Sequence, residues 1–248
     1  VSFPDAPEHD EGAFARAVAE HCGTVHTELE VRGKDMLDIV PSLPMMFDEP
    51  MADHSLLPAH VICRQAREHV TVVLTGDGGD ELFAGYHRYF DGDHLIARAT
   101  QLPWPLRRVG GACLEVLGDG PLTALADAVG TVTAGATRMR LPAQRLRKVG
   151  RLLRQRSPSA MYRSLVSAWP NPTALAYGAH ERRVLFDDLL EAAEPAALIN
   201  RMMLADQASY MVDDQLAKVD RVSMAVGLEA RVPLLDHEVV ELAWRIPA

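Results

Sequence analysis

The sequence predicts an α/β fold, a parallel sheet covered by helices, with a mainly helical C-terminal portion that returns to it. Up to Thr75 the patterns run strand, helix, strand, helices, strand, the order that a parallel sheet with helical crossovers requires. Beyond Gly92 no convincing strand pattern follows, and the chain reads as helices punctuated by LPWP, GDGP, SPS, WPNPT and RVPLLDH. Between these portions, the apolar run Val72-Val73-Leu74 stops at a loop, Gly76 to Glu81, that holds three glycines and three carboxylates.

Val1-Ser2-Phe3 reads as the end of a strand. Asp10 is placed to cap a helix over Glu11 to Cys22 whose Phe14, Ala17, Val18 and His21 share one face, and Gly23 stops it. Val25, Thr27, Leu29 and Val31 then alternate with His26, Glu28 and Glu30, the period of a strand. Helical patterns cover Asp35 to Phe47 and Ser55 to His69, ahead of a strand from Thr71 to Thr75.

Composition narrows the function. A hydrophobic fraction of 48% and a charged fraction of 24% over 248 residues describe a globular protein. The net charge of -9 disfavours nucleic acid as a partner, because that affinity rests on Lys and Arg against phosphates. No apolar segment reaches the ~18 residues of a membrane span, and no signal sequence is read at the N-terminus. A cytoplasmic protein with no membrane partner is expected. Cys22, Cys63 and Cys113 are far apart and form no C-x-x-C spacing, so they are expected to be small core residues in a reducing compartment. The stretch Arg138 to Arg156 carries eight Lys or Arg and no acid. It lacks interleaved aromatics, so a helix with Leu146, Val149, Leu152 and Leu153 toward the core is the expectation, rather than an anion site.

The Gly76 to Glu81 loop leaves the carboxyl end of a predicted strand, where open α/β sheets bind ligands. Gly76, Gly78 and Gly79 permit positive φ and close backbone approach. Asp77, Asp80 and Glu81 would repel a bare phosphate but suit one carried with Mg²⁺. A remaining carboxylate suits a base or an amine-orienting group. The loop matches neither G-x-G-x-x-G nor an EF-hand, and no G-x-x-x-x-G-K-[ST] occurs in the chain. Composition also leaves open a solvated acidic turn with Asp80 as a helix N-cap. Near the C-terminus, Asp213 or Asp214 can cap a helix in which Leu216, Val219, Val222 and Ser223 face inward and which Gly227 ends. Lys218 and Arg221 share a face of that helix. They suit charge building on a leaving diphosphate, although on residues alone a salt-bridged surface helix is the commoner outcome.

Together, LTGDGGDELFAGYHRY and LAKVDRVSMAVGLEARVPLLDH resemble the synthetase domain of the glutamine-dependent asparagine synthetase family. FDEPMADHSLLPAHVICRQAREHVTVVL and HDEGAFARAVAEHCGTVHTELEV are similar to it as well. The resemblance covers Val1 to about Tyr89 and about Ala205 to Ile246. It implies a nucleotide α-hydrolase-like fold of the ATP pyrophosphatase type, with ATP and Mg²⁺ as cofactors. It also implies adenylation of the aspartate side-chain carboxylate, then displacement of AMP by ammonia released from glutamine. By this resemblance Asp80 binds Mg²⁺. Asp77, where many relatives carry glutamate, deprotonates or orients the amine, and either Lys218 or Arg221 faces the diphosphate. Val1, Ser2, Gly76, Gly78, Gly79 and Glu81 fall on the segments that bind ATP and substrate. Glu229 and Arg231 hold their segment against the loop.

The expected division is an α/β nucleotide-binding part, residues 1–91, and a mainly helical part, residues 92–248. No S-G-G-x-D-S loop and no glutaminase domain are found in the sequence, and Ser2 lies in the strand match rather than standing as a nucleophile. A fragment of a longer enzyme, inactive alone, is therefore expected. The alternatives are a β-lactam synthetase-like or peptide-cyclising ligase, a non-catalytic scaffold, or a tRNA-modifying pyrophosphatase. A homodimer is left open.

Overall fold

The computed structural model describes residues 2–5, 10, 12–124, 143–169, 171–175, 177–192 and 197–247. In chain order its helices and strands begin with α1 (Gly12–Cys22), α2 (Gly33–Leu37), α3 (Leu43–Met46), α4 (Leu56–Arg67) and β1 (Val72–Leu74). There follow α5 (Gly79–Phe83), α6 (His87–Thr100), α7 (Trp104–Val116), α8 (Ala143–Leu153), α9 (Pro158–Val166), α10 (Leu185–Glu191) and α11 (Leu198–Ala208). A π-helical segment, Met211–Leu216, then runs into α12 (Ala217–Met224), β2 (Glu229–Arg231) and α13 (His237–Ala243). The chain divides into two compact units, Val1–Gly79 with Tyr210–Arg245, and Asp80–Ser209 with Ile246–Ala248.

In the first unit, Asp10 Oδ1 accepts from the Gly12 N–H at 3.0 Å, and Gly23, at φ +64, ends α1 as its sequence requires. The expected inward face of α1 is corrected: Phe14 is 76% and Val18 63% exposed. Ala17 and His21 are exposed too, and the half-buried positions are Ala15 and Ala19. Ala15 lines a cavity of the first unit together with Phe3 and Ile62.

The expected strand over Val25 to Val31 is corrected as well. Val25 is 99% exposed, and the segment contributes one parallel bridge, Ser2 with Glu30. Ser2 N–H donates to Leu29 O and Val31 N–H to Ser2 O, each at 2.9 Å. Alternation alone does not make a strand when no neighbouring backbone takes up its N–H and C=O groups. Val31 instead joins Ile39 and Val61 in a small core with Leu29, Met36 and Leu57 packed around it.

Among the described residues the sheet has two strands, β1 and β2, paired in parallel from Val72–Glu229 to Leu74–Arg231. A strand beyond Gly92 thus exists, contrary to expectation. It is three residues long with charged ends, and only Ala230 turns partly inward. The α/β architecture is therefore a small parallel sheet in a chain dominated by helices.

Helix α12 packs on α4, and their shared face includes the buried His60, whose Nδ1 lies 3.4 Å from Val222 O. Burial lowers the His60 pKa below its ordinary 6.5, the Arg64 charge adds to this, and the Val222 contact opposes it. A depressed histidine keeps its full contribution to stability above the unfolded value of 6.5 and loses it as pH falls from there toward the folded value. Urea unfolding between pH 7.5 and 5 should show stability declining with acid, and His60→Gln should flatten that decline.

The second unit is helical, with α7 packed on α8 and α10 on α11. Backbones of α7 and α8 meet at two glycines: a Cβ on Gly111 would lie 2.5 Å from Gly150 O, and one on Gly150 2.9 Å from Gly111 O. The described part of the basic stretch is an amphipathic helix, α8, with Leu146 and Leu152 buried. Two arginines of the stretch pair with acids, Arg147 with Asp119 at 2.7 Å and Arg154, just past the helix, with Glu115. Residues 138–142 of that stretch lie outside the described residues.

At the centre of this unit Asp206 is buried, and its Oδ2 accepts from Tyr89 OH and Tyr162 OH at 2.9 Å each. The same oxygen accepts from Arg88 Nη2 at 2.9 Å and Nε at 3.2 Å. The Arg88 guanidinium also lies over the Tyr86 ring at 3.9 Å. Burial first, then the Asp206 charge, pushes both tyrosines far above their ordinary range.

The cysteines are not core residues as expected: Cys22 and Cys113 are exposed and Cys63 half-buried, all as free thiols. Among the described residues no helix is long and apolar enough to cross a membrane.

Candidate active site

The ladder of β1 runs one residue past its last pair, because Thr75 N–H donates to Arg231 O at 2.8 Å. Thus Arg231 holds its segment against the start of the loop through backbone, while its side chain pairs with Glu229 at 2.8 Å. Gly76 then opens a turn closed by Gly79 N–H to Gly76 O at 3.3 Å. Gly78 sits at φ +82, and a Cβ there would lie 2.5 Å from Leu235 Cδ2. A Cβ on Gly79 would come 3.1 Å from Leu234 Cδ1, whereas one on Gly76 meets nothing within 4 Å. Two of the three glycines therefore fit the loop to Leu234-Leu235, and Gly76 is the one whose backbone stands open. Gly78→Ala should lower stability by about 1–3 kcal/mol, since it combines left-handed backbone with a clash. A urea titration beside Gly76→Ala, which should lose much less, checks this.

A cavity of about 630 Å³ lies at the carboxyl end of β1 within the first unit. Its walls are mostly apolar, with Ile62, Val219, Val222 and Leu228 among them, and its polar groups include Ser55, Thr75, Asp77 and Lys218. Thr75 Oγ1 is buried and has no hydrogen-bond partner among the described residues. Cys63 lines the same space, and burial followed by the Asp77 charge raises its pKa.

Lys218 is buried on α12 and donates to Asp53 Oδ2, Ser55 Oγ and Gln215 Oε1, all at 2.7 Å. Burial works to raise the Asp53 pKa, but hydrogen bonds from Lys218 and from the Ser55 backbone and hydroxyl outweigh it and hold the carboxyl below its ordinary range. Arg221, one turn further, is half-exposed and pairs with the exposed Asp48 at 2.8 Å. The two cations expected on one face thus stand in different surroundings. Gln215 comes from the π-helical segment, a rare geometry that recurs at functional sites.

After the loop, α5 carries Asp80 in its first turn, exposed, and Glu81, buried. Asp80 is inside the helix and not its N-cap. Its carboxylate packs on Gly85, where a Cβ would fall 2.0 Å from Oδ1. Glu81 faces inward: Oε1 accepts from Tyr86 OH at 2.8 Å, and its carbonyl accepts from Gln207 Nε2 at 2.7 Å. Ala84, at φ +56, turns the chain out of α5. Ser2 is buried in its backbone bridge, and Val1 lies outside the described residues.

The structure thus brings Asp77 and Lys218 onto one cavity, leaves Asp80 exposed, and turns Glu81 into the second unit. Asp53, Ser55 and Gln215 were not read as site residues from the sequence. The signal available was DHS within FDEPMADHS, an acid and a hydroxyl two positions apart ahead of a helix.

A strand-end loop beside a largely apolar cavity, with a buried ammonium on its wall, is the place where α/β proteins hold small ligands. The sequence matches the family described as asparagine synthase over residues 1–248, and the chain belongs to that family. It is similar to a putative asparagine synthetase (glutamine-hydrolyzing) of Mycobacterium bovis, 34% identical over 238 residues, covering 94% of this chain and 33% of that relative. A protein of the same description from Mycobacterium tuberculosis matches with the same figures. Asparagine synthetase (glutamine-hydrolyzing) 1 of Bacillus subtilis is 25% identical, covering 94% of this chain and 34% of the relative. The chain spans about a third of the length of these relatives. No solved structure matches.

Proposed function

We propose that this chain carries the synthetase chemistry of a glutamine-dependent asparagine synthetase. An oxygen of the aspartate side-chain carboxylate attacks the α-phosphorus of ATP, and diphosphate leaves. The ammonia lone pair then attacks the activated acyl carbon, and AMP departs with the former carboxylate oxygen. The observation that carries this reading is the shared cavity of Asp77 and Lys218 at the carboxyl end of β1.

Each group has a task there. Lys218, a buried cation, opposes the charge that builds on the diphosphate as the P–O bond breaks. Its place on the cavity favours it over Arg221, whose charge is met by Asp48 in solvent. Asp77 takes the proton that ammonia sheds as its N–C bond forms. The open backbone of Gly76 and the unpartnered Thr75 hydroxyl offer hydrogen bonds to a polar ligand.

Among the described residues no group of three or more His, Cys, Asp or Glu is gathered for a metal. Mg²⁺ delivered with ATP needs only one or two carboxylates beside phosphate oxygens, and Asp80, whose carboxylate is exposed, would be one of them. Mg²⁺ held there supplies charge neutralisation to the phosphates. Ammonia released from glutamine is the nitrogen source implied by the relatives' names.

The test is diphosphate release from ATP and Mg²⁺ by the full-length protein, with aspartate and ammonium, beside Asp80→Ala. Release that requires aspartate, yields asparagine and falls in the variant supports the reading. Release that requires a different carboxylate contradicts the substrate, and release with no carboxylate contradicts the chemistry.

A further inference from the structure

Lys218 and Asp53 form a buried ion pair, with side chains 7% and 13% exposed. Such a pair is a poor stability device, because the desolvation of two charges offsets most of their attraction. Its retention on a cavity wall calls for another account. Ser55 Oγ donates to Asp53 Oδ2 at 2.8 Å while accepting from Lys218, and the Ser55 N–H donates to Asp53 Oδ1 at 2.9 Å. The carboxylate is thereby fixed by its own turn before it meets the ammonium. Lys218 comes from a different part of the chain, on α12, and would otherwise carry four free torsions in a roomy cavity. Gln215, on the π-helical segment, occupies the third N–H, so every donor of the ammonium has a partner. The partners differ in kind: an anion and a hydroxyl locked to each other, against one neutral amide. Substrate can take an N–H from the amide while the Asp53–Ser55 pair keeps its hold.

We infer that Asp53, braced by Ser55, is the positioning residue for Lys218, holding the ammonium at the cavity edge while Gln215 is the partner exchanged for substrate. This rests on the role of Lys218 proposed above. The hold needs a charge and a fixed place at once. An amide at position 53 keeps the shape and loses the charge, and a longer carboxylate keeps the charge and moves it.

The experiment compares Asp53→Asn, Asp53→Glu, Ser55→Ala, Lys218→Met and the double variant Asp53→Asn/Lys218→Met in the full-length protein, by steady-state AMP formation with aspartate and ammonium. Asp53→Asn is expected to lower kcat about 10²-fold, the effect of misplacing a group that acts in the transition state. The KM values for ATP and aspartate should stay within about twofold, because ground-state binding is not what is lost. Asp53→Glu should recover part of the rate, and the double variant should be no slower than Lys218→Met alone. A double variant slowed by the product of the two single effects overturns the inference, as does an unchanged kcat in Asp53→Asn. If Lys218→Met keeps its rate, the role of Lys218 fails and the inference with it. If Lys218→Met is inactive and Asp53→Asn is not, only the inference fails. Should Asp53→Asn lose its folded circular dichroism, Ser55→Ala carries the same comparison: a lower kcat at unchanged KM supports the inference, and an unchanged kcat overturns it.

Discussion

Lys218→Met is expected to lower aspartate-dependent AMP formation by about 10²–10³-fold, the loss that follows removal of one preorganised group facing transition-state charge. Methionine replaces the apolar stem of the side chain up to the position of Cε, so the cavity wall formed with Val219 and Val222 remains. What goes is the charge, and with it the partner of Asp53. An unpaired buried carboxylate is costly, so some destabilisation accompanies the change. The two effects separate because stability is read from unfolding and the chemical step from kcat at saturating ATP. Arg221→Met should cost far less in rate, since its partner is the exposed Asp48 and screened surface pairs contribute little. Steady-state kinetics of both variants check the contrast.

Asp206→Ala is expected to lower the stability of the second unit by about 3–5 kcal/mol, the range seen when one partner of a buried ion pair is removed. The oxygen it deletes accepts from Tyr89, Tyr162 and Arg88, which belong to α6 and α9. Three helices, α6, α9 and α11, therefore lose their common polar centre. Asp206→Asn keeps an acceptor but removes the charge facing Arg88, and should fall between wild type and alanine. Urea unfolding of the three proteins measures the order. Hydrogen exchange should locate the loss in α6, α9 and α11 rather than along β1 and β2.

Much of this was legible in the residues. The Asp10 cap, the Gly23 stop, the strand ahead of the GDGGDE loop and the amphipathic α8 follow from side-chain chemistry within a few positions. Gly227, at φ +69, likewise closes the stretch that begins at Met211. Harder to read was whatever depended on a partner far along the chain. The strand Glu229–Arg231 exists because β1 offers it a backbone edge, and no apolar alternation announces it. Conversely Val25 to Val31 alternates well and, among the described residues, makes one bridge. The pairing of Asp53 with Lys218 spans 165 positions and that of Arg88 with Asp206 spans 118. Local spacing holds no trace of either. The shared face of Lys218 and Arg221 was legible, and their different surroundings were not, because burial is set by what packs against the helix.

If aspartate is activated through its own carboxylate oxygen, as proposed, aspartate carrying ¹⁸O in the side-chain carboxylate passes that label to AMP. The full-length protein would be run with Mg²⁺, ATP, ammonium and this substrate, and the AMP product examined by phosphorus-31 NMR. Attack of the carboxylate on the α-phosphorus predicts AMP carrying one ¹⁸O, with its resonance shifted accordingly. AMP without the label, or ADP in its place, would show that aspartate is not activated in this way.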